Sequence, residues 1–279
     1  MLKSYESVSY TAIRTAYART FSNIPYSKET YEWLSKNCSE EVILNKLLAP
    51  EMEARYKLID KLLKETGITQ ILELASGYSS RGLIFSKAGY QYVEMDLEGV
   101  SNNKKRMINE IFKMNDNLNI VSGNALNIED YYKCNKFFDD NQKLAIINEG
   151  LLRYLTFDEK RKVAQNIYQE LKKYGGVWIT CDVTPMKYIE VQNKLNIATK
   201  INKKDKSLRQ NLNDRFLDEE HIRSFFSEIG FNDIELHHDI EVKEELKSLD
   251  SIGMDKDYFD ELLKYGYVAI FKVQGDNNG

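Results

Sequence analysis

The sequence predicts an α/β fold built on a mostly parallel sheet, and three observations carry the prediction. From Gly67 onward, short apolar runs alternate with helical periods, the rhythm of strands joined by right-handed crossovers. In "ILELASGYSSRG", 71–82, a strand-like apolar run enters a small-residue turn centred on Gly77, with an arginine close behind. Nineteen residues after Gly77, the segment "QYVEMD" ends in Asp96. At that spacing, a carboxylate on the tip of a second strand can accept hydrogen bonds from both hydroxyls of a ribose whose nucleoside lies over the glycine turn.

The elements follow in order. Residues 1–66 show helical periods without a strand pattern, and they read as a helical N-terminal cover. Tyr10, Ile13, Tyr17 and Phe21 share one face of a first helix, and "SKETYEWLSKN" opens a second at a Ser27 to Thr30 cap region. Residues 67–183 form the core, with strands expected over 70–75, 91–96, 118–123, 144–150 and 175–183. Between the last two, "TFDEKRKVAQNIYQELKKYGG" places Asp158 and Glu159 in the first turn of a helix and lysines in its last, and Gly175 and Gly176 stop it. Residues 184–214 are polar and lysine-rich, an inserted, partly helical segment that serves either as a lid or as a solvated excursion. Residues 215–279 return to the sheet through the amphipathic helix "DEEHIRSFFSEIGF" and two strands, "NDIELHHDI" and "YGYVAIFKVQ", expected to pair antiparallel at one side.

Composition limits what the protein does. A chain of 279 residues, 42% hydrophobic, can bury a full α/β core. The formal net charge of -4 and the pI of about 5.6 argue against a general nucleic-acid binder, which carries a basic footprint. No apolar stretch approaches the roughly 20 residues that span a bilayer, and the N-terminus has no apolar core of a secretory signal, so a cytoplasmic location is expected. Cys38, Cys134 and Cys181 are too far apart for a thiolate metal site and odd in number for a disulfide framework. His221, His237 and His238 lack metal-ligand spacing, so no metal is expected.

Ligands of open α/β sheets bind outside the carboxyl ends of the strands, which makes the strand tips the candidate site. Asp96 ends the second strand; Glu94 shares its side only if that strand stays regular. After the third strand, Asn124, Ala125 and Leu126 can offer an amide oxygen and apolar contact to an adenine. At the fourth, "INEGLLRYL" places Glu149 and Gly150 at a central strand end, where Glu149 either meets a ligand or serves as the acidic residue leading into the next helix.

These segments resemble the leucine carboxyl methyltransferase family of class I S-adenosylmethionine (SAM) enzymes, over roughly residues 8–183. "EARYKLIDKLL", 53–63, is similar to the family's arginine-bearing helix, "LELASGYSSRG" to its L-G-A-G-x-D-T-R turn, "YVEMDLEGV" to E-x-D-x-P-x-V, and "INEGLLRYL" to E-G-x-L-x-Y-L. Ala75 and Ser76 stand in place of the first Gly-Ala, Ser79 in place of the aspartate and Glu98 in place of the proline. The resemblance implies a seven-stranded Rossmann-like sheet with the N-terminal cover and the inserted helical lid, and SAM as cofactor. It implies that Arg55 pairs with the methionine carboxylate, that Gly77 lets the backbone approach the cofactor, that Asp96 holds the ribose and that Glu149 lies near the amino group. Glu73, Leu97, Asn124, Ala125, Leu126 and Gly150 complete the cofactor-binding set that it suggests. Arg14 matches a basic position of the family's first helix that reaches the active site.

Methyl transfer from such a cofactor is an in-line displacement in which positioning supplies about 7 to 11 kcal/mol. A carboxylate acceptor is already a nucleophile at neutral pH, whereas a phenol or alcohol wants a general base. The motif segments hold no histidine or other obvious base, which favours a carboxylate over a hydroxyl, with Arg14, Tyr10 and Tyr154 as candidate catalytic clamps and His238 as an outlying base. The expected function is therefore SAM-dependent O-methylation of a small molecule or peptide, without nucleic-acid or membrane partners. A non-catalytic SAM-binding module and an NAD-dependent oxidoreductase are the competing readings, and the weak glycine pattern leaves the latter poor room for a pyrophosphate.

Overall fold

The computed structural model describes residues 8–37, 42–195, 197 and 214–275, with side chains described from Thr11. Cys38, most of the 196–213 segment and the Tyr10 side chain therefore lie outside the described residues.

Three helices precede the sheet: α1 (Val8–Arg19), α2 (Ser27–Asn37) and α3 (Ala49–Glu65). The core then alternates β1 (Gln70–Leu74), α4 (Arg81–Lys87), β2 (Gln91–Asp96), α5 (Glu98–Ile111), β3 (Leu118–Ser122), α6 (Ile128–Asn135), β4 (Leu144–Asn148), α7 (Phe157–Tyr174) and β5 (Gly176–Thr180). The remaining described elements are α8 (Met186–Lys194), α9 (Glu219–Ser227), β6 (Asp233–His238), α10 (Lys247–Ile252), α11 (Asp260–Tyr265) and β7 (Tyr267–Val273). All seven strands expected from the sequence are present in one sheet, in the order β3-β2-β1-β4-β5-β7-β6. The first five run parallel, and β7 inserts antiparallel between β5 and the edge strand β6. This is the seven-stranded Rossmann-like sheet that the family resemblance implies.

Helix α7 shows why the sequence folds as it does. Thr156 accepts from the Glu159 amide while the Glu159 carboxylate accepts from the Thr156 amide, a capping box that satisfies two of the helix's orphan donors. At the other end Gly175 takes φ +68°, a conformation available to glycine at little cost.

Two apolar layers flank the sheet, one against α1, α2, α3, α4, α5, α8, α10 and α11, the other against α6, α7 and α9. Strand alternation decides which layer a residue enters. In β4, Ala145 and Ile147 enter the α3 layer, and Leu144 and Ile146 enter the opposite one. Glu149, two residues beyond Ile147, consequently meets side chains of α3. β2 stays regular in its pairing, so Glu94 does share the side of Asp96; it is buried and faces Lys104 of α5 at 2.7 Å. In the 239–266 connection a 3-10 segment, Asp239–Glu245, precedes α10 and α11 and packs along α3.

Candidate active site

The tips of β1, β2 and β4 adjoin one another at the carboxyl edge of the sheet. The turn after β1 is left-handed at two places, Ala75 (φ +49°) and Gly77 (φ +52°). Ala75 therefore adopts the backbone for which glycine would be the usual choice, at a cost of roughly 1–2 kcal/mol. A Cβ added at Gly77 would meet nothing within 4 Å, so the backbone faces open space there. Asp96 ties the β1 and β2 tips together: the Gly77 amide donates to one carboxylate oxygen and the Leu97 amide to the other, both at 2.7 Å. Burial raises the Asp96 carboxyl above its ordinary value, and the two amide bonds oppose that rise.

Glu149 is the centre of the cluster. Its Oε1 accepts from Arg19 Nη2 at 2.6 Å and Arg55 Nε at 2.8 Å, and its Oε2 from Arg81 Nη2 at 3.3 Å. Burial alone would push its carboxyl up, but the three guanidinium groups outweigh it and hold the group well below the usual carboxylate range. Arg81 also donates to Asp60 at 2.6 Å and to Glu73 at 2.8 Å, and stacks on the Tyr56 ring at 4.1 Å. Arg55 additionally faces Glu51 one turn earlier on α3.

The turn after β4 is organised by Asp182, just past β5. Its carboxylate accepts from the Gly150, Leu151 and Leu152 amides, the Asn148 side chain and Arg153 Nε. After β3, Asn124 uses its side-chain oxygen on the Leu126 amide and its own amide on Asp130, which fixes this turn locally. Ala125 is buried and Leu126 half-buried beside it.

The structure thus brings together Arg55, Gly77, Asp96, Leu97, Glu149 and Gly150 at adjoining strand tips. Glu73 lies below the turn, its oxygens accepting from Arg81 and from the Tyr92 hydroxyl. The α1 side chain that reaches Glu149 is Arg19, five residues beyond Arg14, which is half-buried on the same helix. Tyr154 is 46% exposed on the 3-10 turn after Glu149. His238 is half-buried on β6, and its ring nitrogen meets the Lys264 carbonyl at 2.7 Å.

Four groups escaped the sequence reading: Arg19, Arg81, Asp182 and Asp239. Arg81 stood in the quoted turn motif and was the most findable. Asp182 and Asp239 carry no local signal, because their roles depend on contacts across the fold. Asp239 leads out of β6 and is only 3% exposed, yet its Oδ1 has no hydrogen-bond partner among the described residues.

A hollow of 360 Å³ lined by Gln70, Gln91, Asp139 and Gln142 opens at the amino ends of the strands. That is the wrong edge for a ligand of a parallel sheet, and the Gln70 amide is already committed to Asp139 and Gln142. No group of His, Cys, Asp and Glu suited to a metal ion occurs among the described residues. No helix among them is long and apolar enough to cross a membrane.

The family model described as leucine carboxyl methyltransferase matches residues 8–168. No curated protein matches the sequence. Among solved structures, the chain is similar to a putative methyltransferase from Thermobifida fusca, at 15% identity over 93% of this chain and 94% of that one, with a TM-score of 0.55. It is also similar to magnesium protoporphyrin IX methyltransferase from Synechocystis with bound S-adenosylhomocysteine (SAH), at 9% identity over 88% and 94% of the chains, with a TM-score of 0.50.

Proposed function

Because the chain belongs to the leucine carboxyl methyltransferase family, we propose that it is a SAM-dependent O-methyltransferase that methylates a carboxylate or hydroxyl of a small molecule or peptide. The observation that carries this reading is the convergence on the β1 tip, from either side, of Asp96 at the end of β2, bound to the Gly77 amide at 2.7 Å, and Glu149 in its arginine cluster after β4.

The residues present suit the cofactor in kind. A sulfonium nucleoside carries ribose hydroxyls at one end and an α-amino acid at the other. Asp96 offers the acceptor oxygens for the ribose, and the open space at Gly77 lets the chain come close. Arg19, Arg55 and Arg81 offer donors to a carboxylate, and Glu149 offers a countercharge to an ammonium. Ala125 and Leu126 supply apolar contact for a base. When bound, the cofactor supplies an electrophilic methyl group. This chain's part is to orient the acceptor oxygen and to exclude water from it, with helix α3 and the N-terminal helices covering one face of the site.

Calorimetry with SAM and SAH tests the reading, with saturable binding of both expected. An absence of binding at about millimolar ligand, weaker than the roughly 4 kcal/mol that such affinity represents, would end it.

A further inference from the structure

Resting on the methyltransferase reading, we propose that Asp239 is a catalytic residue of the acceptor side, where its carboxylate takes the proton of a neutral hydroxyl acceptor as the oxygen is methylated. β6 runs parallel to β5, since both pair antiparallel with β7, so Asp239 leaves the sheet at the same carboxyl edge as Glu149. Its backbone is pinned there by a hydrogen bond from its amide to the Gly266 carbonyl at 3.0 Å. Its carboxylate lies so close over Gly266 that a Cβ there would come within 2.1 Å of Oδ2, so only glycine leaves it this place.

Helix α3, which carries Glu51 and Arg55, packs along the 3-10 segment that Asp239 opens. The charges of Glu51, Arg55, Glu149 and Arg153 act on Asp239, and its own charge acts on Tyr188 of α8. Glu51 is engaged by Arg55 and by Gln192 at 2.7 Å, and Glu149 by its arginines, whereas Asp239 has a buried oxygen with no partner. A buried carboxyl oxygen without a donor is destabilising, and an acceptor O–H would supply that donor. Burial, reinforced by Glu51 and opposed by Arg55, raises the Asp239 carboxyl to about 8. That value is well matched to receiving a proton from a hydroxyl near neutral pH. A carboxylate acceptor would have no proton to give to this group.

The step balances. The acceptor oxygen forms a bond to the methyl carbon, the carbon–sulfonium bond breaks with its electron pair going to sulfur, and the hydroxyl proton passes to Asp239, which later releases it to solvent.

The test uses the full chain with SAM and a panel of phenols and primary alcohols beside matched carboxylic acids, following methylated product, together with calorimetric binding of phenol to the SAH complex. Turnover is expected for hydroxyl probes, with kcat/KM rising with pH and levelling near 8. Asp239→Asn should lower it by about 10²–10⁴-fold and weaken phenol binding at least about tenfold. It should leave the SAH dissociation constant unchanged, and Asp239→Glu should recover part of both losses. The proposal fails if the acids are methylated and the Asn variant matches the wild type. It fails equally if SAH binds but no hydroxyl probe is bound or turned over. Loss of SAH binding by the wild type would instead sink the cofactor reading beneath it.

Discussion

Arg81 is almost wholly withdrawn from water, yet it meets three carboxylates, Asp60, Glu73 and Glu149, and lies over the Tyr56 ring. Removing one member of such a buried group leaves the others uncompensated, so Arg81→Ala is expected to cost about 3–5 kcal/mol of stability in urea titration. A loss below about 1 kcal/mol would show that water reaches the cluster freely. Asp96→Ala should weaken SAH binding by on the order of 1–3 kcal/mol through loss of charge-assisted hydrogen bonds, measured on folded protein by calorimetry. Arg55→Ala should weaken SAM more than 5′-methylthioadenosine, which lacks the amino-acid carboxylate; equal losses would contradict a carboxylate contact for this residue.

At the scale of elements, α7 starts with an exposed cap at Thr156 beside the packed ring of Phe157. Thr156→Ala removes one half of the capping box and should lower the unfolding free energy by about 0.5–2 kcal/mol, seen as a shift in Tm. The connection from β6 to β7 behaves differently, because it holds Asp239 against α3. An acid whose folded value is raised binds more protons folded than unfolded, so its contribution is complete below the ordinary aspartate value of about 3.9. That contribution is lost as pH rises towards about 8. Wild-type stability relative to Asp239→Asn should therefore fall across that window, by denaturant titration at several pH values. A difference constant with pH would mean that Asp239 ionises normally. Glu149 has the opposite sign: its stabilising contribution is present above the ordinary glutamate range and declines as pH falls below it.

For the whole molecule, the arginine cluster joins units distant in sequence. Arg19 ends α1, Arg55 lies on α3, Arg81 opens α4, and all three converge on one carboxylate after β4. The N-terminal helices are thereby clasped to the strand tips by charge as well as by the shared apolar layer of Ile13, Trp33 and Leu34. Arg19→Ala should leave the sheet intact and raise amide exchange within α1 and α2 selectively. Unchanged exchange there would show that apolar packing alone holds the helices down.

The sequence by itself determined the alternating strand and helix order, the ends of β2 and α7, the small-residue turn at Gly77 and the carboxylates at positions 96 and 149. Each is a local property, written in period-two or period-3.6 patterning, in caps and in turn chemistry. Only the tertiary structure decided that Arg19 of α1 meets Glu149, that Arg81 ties Glu73 to that centre, and that Asp239 stands buried with an oxygen to spare at the same edge. Those facts depend on which layer a side chain enters and what faces it from elements distant in sequence, as Arg19 and Glu149 are. Charge pairing of that range leaves no periodic trace, because any of the chain's 39 basic residues could have supplied the partner until the sheet order placed three of them together.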